Sequence, residues 1–274
     1  MDILSVRIDQ YKKEQALEKV RDFLHSNTSH TLFTPNPEML VAAHRYPQFR
    51  ETLNKSDLNI CDGFGIQLLN RGAVQRMPGV DLMLNICRIA QEENKSIFLL
   101  GSGSDTVLEK TKKELQRQFP CLNIVGMHRG ISIEIVTKPP SVQSKEKIIT
   151  NYELPITSSL IEYAKDENDQ LLDEIISVAP DILFVAFGHI KQETWIVQNL
   201  AQLPSVRLAM GVGGSFDFVS GSVSRAPRLL RFVGLEWLWR LLVQPKRFWR
   251  IVDAVIVFPY LYYISVCLKK FLEK

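Results

Sequence analysis

The chain has 274 residues, of which 46% are hydrophobic and 23% charged, with a formal net charge of +3. That length suffices for one large domain, or one domain with an appendage, whose core needs no disulfide staple. Its four cysteines, Cys61, Cys87, Cys121 and Cys267, are far apart and form no CxxC pair, which argues against a local zinc knuckle or redox dithiol and for a reducing cytoplasm.

The opening MDILSVRIDQYKKEQ mixes charges from its second residue, without an apolar core or cleavage site, so export is not expected. From there to about residue 223, short apolar runs alternate with helical patterns. Strands are expected at 3–6, 31–33, 58–60, 96–100, 122–125, 181–187 and 206–210, and helices near 12–26, 37–46, 81–93, 105–118, 167–178 and 191–201. This is the rhythm of an α/β domain with a mostly parallel sheet and helices on both faces. Several strands end in glycine turns, and ligands of open α/β sheets bind outside those carboxyl ends.

Residues 132–170, with KPPSVQSKEK and KDENDQ, interrupt the rhythm and read as an inserted surface loop. The tail differs again. Residues 225–274 hold ten Lys/Arg against three Asp/Glu, a net +7 that leaves −4 on the first 224. Trp237, Trp239, Trp249, Tyr260, Tyr262 and Tyr263 lie there too. Basic residues beside interfacial aromatics point to an anionic membrane surface, and the density of Leu, Ile, Val and Trp argues against nucleic acid. In 227–243, Arg228, Arg231, Glu236 and Arg240 share one arc of a helix, opposite leucines and tryptophans. Residues 254–268 are uncharged, but as a helix they would reach only about 22 Å of a ~30 Å hydrocarbon core, and Pro259 interrupts them. A catalytic domain at 1–223 and a peripheral helical appendage at 224–274 are therefore expected. The apolar tail could also drive assembly into a homo-oligomer.

Five turns carry candidate chemistry. Asp62, in NICDGFG, either serves as a general base or caps the next helix. Thr34 and Asn36, in TPNPE, either cap a helix or orient a sugar hydroxyl, and the two roles are compatible. Gly101 and Gly103, in GSGS, let a phosphate approach the backbone, but Thr106 stands where a dinucleotide fingerprint needs its third glycine. Gly188, Gln192 and Glu193, in FGHIKQETW, stand at a strand's carboxyl end, where they could bond a sugar or ribose. Gly213 and Asp217, in GVGGSFDF, form either a loop under a ligand or a corner before the tail.

Taken in order, TPNPEML, CDGFGIQL, QRMPGVDLM, FVAFGHIKQETW, GVGGSFDFVSG and RAPRLLRFVGLEWLWRLLVQPKRFWR resemble the bacterial TagA/WecG/CpsF glycosyltransferases, family 26. The resemblance implies a Rossmann-like sheet with a C-terminal membrane-associating appendage, of GT-E type. It also implies inverting transfer of a sugar, such as N-acetylmannosamine, from a UDP donor to N-acetylglucosamine on undecaprenyl diphosphate, at the inner face of the cytoplasmic membrane. On the matching motifs, Asp62 becomes the base. Thr34, Asn36, Arg76 (with Gly79 and Asp81 after it) and Gln192 become binding residues, and Arg240, Arg247 and Arg250 become tail arginines acting in catalysis. No DxD triplet occurs in the sequence, so the expected reaction is metal-independent and without cofactor, with arginines holding the diphosphate. Two rival readings are an NAD-dependent oxidoreductase resting on GSGS, and a membrane-bound scaffold without activity.

Overall fold

A computed structural model describes residues 1–136, 159–227, 229–230 and 234–272. The segment KPPSVQSKEK and the arginines Arg228 and Arg231 of the expected tail arc lie outside the described residues.

Six strands form one parallel sheet: β3 (His30–Phe33), β4 (Leu58–Asn59), β5 (Ser96–Gly101), β6 (Asn123–His128), β9 (Ile182–Ala186) and β10 (Leu208–Gly211), in the order β4-β3-β10-β9-β5-β6. Alternation across the pleat explains why these runs are apolar throughout. Phe98, Leu100, Leu183, Val185 and Ala209 enter one core, while Ile97, Leu99, Ile182, Phe184, Leu208 and Met210 enter the other. Helices α2 (Pro37–Arg45), α3 (Pro47–Asn54), α7 (Lys165–Val178) and α8 (Lys191–Asn199) cover the first face. Helices α1 (Lys13–His25), α5 (Gly79–Glu92) and α6 (Asp105–Gln118) cover the second. The fold is a Rossmann-like α/β sheet with a C-terminal apolar helix.

The expected first strand is instead a hairpin of β1 (Asp2–Ile3) and β2 (Val6–Arg7), because Leu4 and Ser5 turn the chain at positive φ. Three short helices carried too little periodicity to be expected: α3, α4 (Phe64–Leu69) and α9 (Ser215–Val219). Around the insertion, β7 (Glu134–Ile135) and β8 (Ile161–Glu162) pair antiparallel, and KDENDQ opens α7 rather than a loop. Asp166 and Glu167 in that first turn favour the positive end of the helix dipole.

The tail folds back onto the sheet domain. Helix α10 (Glu236–Val243) is followed by α11 (Phe248–Val252), a π-turn at Asp253–Val257 and α12 (Phe258–Leu272). Pro259 does not interrupt this helix. Its missing N–H falls just after the widened turn, which accommodates the proline ring. Pro245–Leu268 is long and apolar enough to cross a membrane, yet one side of it is fastened to the domain. Arg45 grips Asp253 with two bonds of 2.8 and 2.6 Å, the Tyr262 hydroxyl donates to Asn70, and Phe258 is wholly buried in the first core. The other side leaves Trp249, Ile256, Tyr260 and Tyr263 between 63% and 75% exposed.

Candidate active site

The turns after β4, β3, β10 and β9 open into one cleft of about 470 Å³, bounded on its far side by α10, α11 and the π-turn. Asp62 lies on its floor. Its backbone N–H donates to Pro35, and Met77 donates to the carbonyl of Cys61, so the peptide group that leads into Asp62 is held at both its ends. The N–H of Gly79, the first residue of α5, lies near the carboxylate and favours its charged form, so Asp62 stands at the start of a helix while facing the cleft. Burial pushes its pKa up to about 6, against the opposing pull of Arg76, the Gly79 N–H and Arg240, while Glu236 adds to the rise. That value suits a base working near neutrality.

Gly79 leaves room for two side chains. A β-carbon there would stand 3.1 Å from the Thr34 hydroxyl oxygen and 3.5 Å from Asp62 Oδ2. Thr34 and Asp62 therefore converge over one bare α-carbon. Asn36 caps α2 by accepting from Met39 at 3.0 Å, which leaves its amide nitrogen at the cleft wall. Arg76 donates from Nε to the Asp62 carbonyl at 2.9 Å and from Nη2 to Glu236 at 2.8 Å, tying the base's turn to α10.

Gln192 reaches the cleft but is already engaged: its oxygen accepts from Gly213 at 2.9 Å and its nitrogen donates to Glu193 at 2.6 Å. Glu193 sits behind it, outside the cleft lining, with burial pushing its pKa up to about 7. Together they brace the turn at 211–213. Gly188 and Gly213 line the cleft directly.

The tail supplies the cations. Arg240 lies over the ring of Phe218, 4.8 Å from its centre, and its Nε has no partner among the described residues. Arg247 makes no ion pair among the described residues. Burial, with Arg250 and Arg240 nearby, lowers its pKa to about 10, so it stays charged at neutral pH. Arg250 is held by Glu38 and His189. Asp217 stands behind this group, outside the lining. Its pKa is raised by burial and drawn back by Arg247.

Gly101 and Gly103 are not brought into the cleft. Gly101 takes φ +110 where β5 packs so closely on β9 that a β-carbon would meet the Ala186 carbonyl at 2.7 Å, and Gly103 donates to Arg129. Gly101 thus serves strand packing, while Gly103 takes φ +66 with open space where a β-carbon would stand.

A family model described as "Glycosyl transferase WecG/TagA/CpsF family" matches residues 1–273. The chain belongs to this family. Among similar proteins is an N-acetylglucosaminyldiphosphoundecaprenol N-acetyl-beta-D-mannosaminyltransferase of Staphylococcus aureus strain NCTC 8325 / PS 47, 27% identical over 266 residues, covering 95% of this chain and 91% of that protein. Its counterpart in strain MRSA252 is 28% identical over the same length.

For this WecG/TagA/CpsF glycosyltransferase the structure also brings forward residues that sequence reasoning passed over. Glu38, His189 and Glu236 line the cleft, and Arg225 grips Asp81 with bonds of 2.6 and 2.8 Å near the mouth of α5. Glu38 and His189 lie inside TPNPE and FGHIKQETW, so their motifs were visible. Their partner is more than 60 positions from either in sequence, so the pairing was not.

Proposed function

We propose that this chain transfers N-acetylmannosamine from its UDP donor to N-acetylglucosamine on undecaprenyl diphosphate, working peripherally at the inner face of the cytoplasmic membrane. The observation that carries the reading is the placing of Asp62, with its pKa near 6, opposite Arg240 and Arg247 across one cleft. In a single displacement, Asp62 takes the proton of the acceptor hydroxyl as that oxygen bonds the anomeric carbon. The bond from that carbon to the diphosphate breaks on the opposite face, which inverts the configuration. Charge grows on the departing diphosphate, where fixed guanidinium donors stabilise it. With such cations in place, transfer would need no metal ion.

The acceptor reading is supported by the apolar end of the cleft. Leu68, Leu69, Ile251, Ala254, Val255 and Pro259 line a slot between α4 and the tail helix, suited to the first units of a prenyl chain. The exposed aromatic face of the tail would rest in the membrane surface that holds such a lipid. GSGS, which suggested a dinucleotide, lies outside this cleft.

The test is transfer from a panel of UDP-sugars to prenyl-diphosphate-linked N-acetylglucosamine, with and without EDTA. The expected result is selective use of UDP-N-acetylmannosamine, unaffected by chelator, giving a β-linked product. Transfer of another sugar alone would correct the donor, and loss of transfer in EDTA would overturn the metal-independent step.

A further inference from the structure

Besides Asp62 and Glu236, a third acidic residue lines the cleft, and it stands among the tail's arginines. Glu38 occupies the first turn of α2, two residues after the cap Asn36, and lines the same cleft as Arg240, Arg247 and Arg250. A free carboxylate there would repel a diphosphate. Glu38 is not free. Arg250 donates from Nε to Oε1 and from Nη2 to Oε2, the second bond at 3.2 Å. His189, in the turn after β9, completes the grip. Arg250 Nη2 also donates to its Nδ1 at 3.0 Å, which places the ring proton on Nε2, 3.4 Å from Glu38 Oε1. Burial lowers the pKa of His189, in keeping with a neutral ring.

Two elements of the sheet domain thus hold one edge of a guanidinium that belongs to the tail. Its Nη1 keeps no partner among the described residues. An arginine free to sample its rotamers loses side-chain entropy when it is fixed. A gripped one meets growing charge without reorganising.

We propose that Glu38 and His189 are positioning residues for Arg250, fixing its guanidinium so that the free Nη1 is directed at the leaving diphosphate. The inference rests on the role given to Arg250 above. It assigns Glu38 a part in turnover although Glu38 would repel the donor if it were unpaired.

The experiment uses the full chain on phosphatidylglycerol vesicles, with UDP-N-acetylmannosamine and prenyl-diphosphate-linked N-acetylglucosamine. It compares Glu38→Ala, Glu38→Gln, His189→Ala, Arg250→Ala and the Glu38→Ala/Arg250→Ala pair. Glu38→Ala should lower kcat about tenfold or more with donor KM changed less than about threefold, Glu38→Gln should recover part of the loss, and His189→Ala should lose less. The double variant should be no slower than Arg250→Ala alone. Calorimetric titration with UDP gives a readout independent of the sugar: Glu38→Ala should weaken binding only when Arg250 is present. Additive losses in the double variant, or a Glu38→Ala enzyme as fast as wild type or faster, would overturn the positioning role. If Arg250→Ala itself turned over and bound UDP like wild type, the role of Arg250 would fail and take this inference with it. An impaired Arg250→Ala beside an unimpaired Glu38→Ala would sink the inference alone.

Discussion

On the sheet side of the cleft the polar groups are settled before any ligand arrives, whereas on the tail side Arg240 and Arg247 face it without ion-pair partners among the described residues. Asp62 is held through its backbone by Pro35 and Arg76, Asn36 by Met39, and Gln192 by Gly213 and Glu193. The contrast separates two jobs. Folding of the sheet sets the geometry of proton removal, while the tail presents unneutralised charge that an anion can satisfy. Such charge destabilises the empty protein and is tolerated for function.

The largest effect should come from the settled side. Asp62→Asn keeps the shape of the side chain but cannot take a proton, so transfer should fall by a factor on the order of 10³ or more in steady-state assays. The same substitution sharpens the contrast through stability. The folded pKa of Asp62 is raised to about 6, so its ionisation costs stability above that pH, and the cost vanishes below the ordinary carboxylate value. Thermal unfolding of Asp62→Asn at pH 7.5 should show a gain of about 1–2 kcal/mol that disappears near pH 4.

Next comes Gly79→Ala, whose methyl group would crowd Thr34 and come into contact with Asp62. A loss of about 10- to 100-fold in kcat, with a small change in donor KM, is expected from a displaced base. Arg247→Ala tests the other side: about 100-fold slower transfer with unfolding temperature unchanged or raised, since a half-buried cation without a partner is removed. In wild type, kcat/KM should rise with pH through about 6 and level off above it as Asp62 ionises. A profile flat from pH 5 to 8 would deny Asp62 that role. The smallest effect belongs to the partly exposed pair joining tail and domain: Asp253→Asn should cost less than about 1 kcal/mol in thermal unfolding.

Much of this molecule was legible in its sequence, for reasons that differ along the chain. The buried parallel strands announce themselves because both faces of the sheet are covered, leaving runs such as IFLLG and ILFVA with no polar residue to break them. Asp62, Thr34 and Asn36 were visible as polar residues at strand ends. What escaped were relations across long stretches of chain. Nothing local tells that Glu38 meets Arg250 or that Arg76 reaches Glu236. The first glycine of GSGS is a similar case: its permissive backbone serves the approach of β5 to β9, and a glycine does not record which neighbour it admits. Pro259 was read as a helix breaker because its own residue type says so, while the π-turn that accommodates it is a property of the five residues before it.

The most direct test of the account is single-turnover transfer by wild type and Asp62→Asn, with UDP affinity measured on the same preparations. The account predicts equal UDP affinity, within about twofold, and chemistry slower by a factor on the order of 10³ in the variant. Transfer at the wild-type rate by Asp62→Asn, with UDP bound normally, would contradict it.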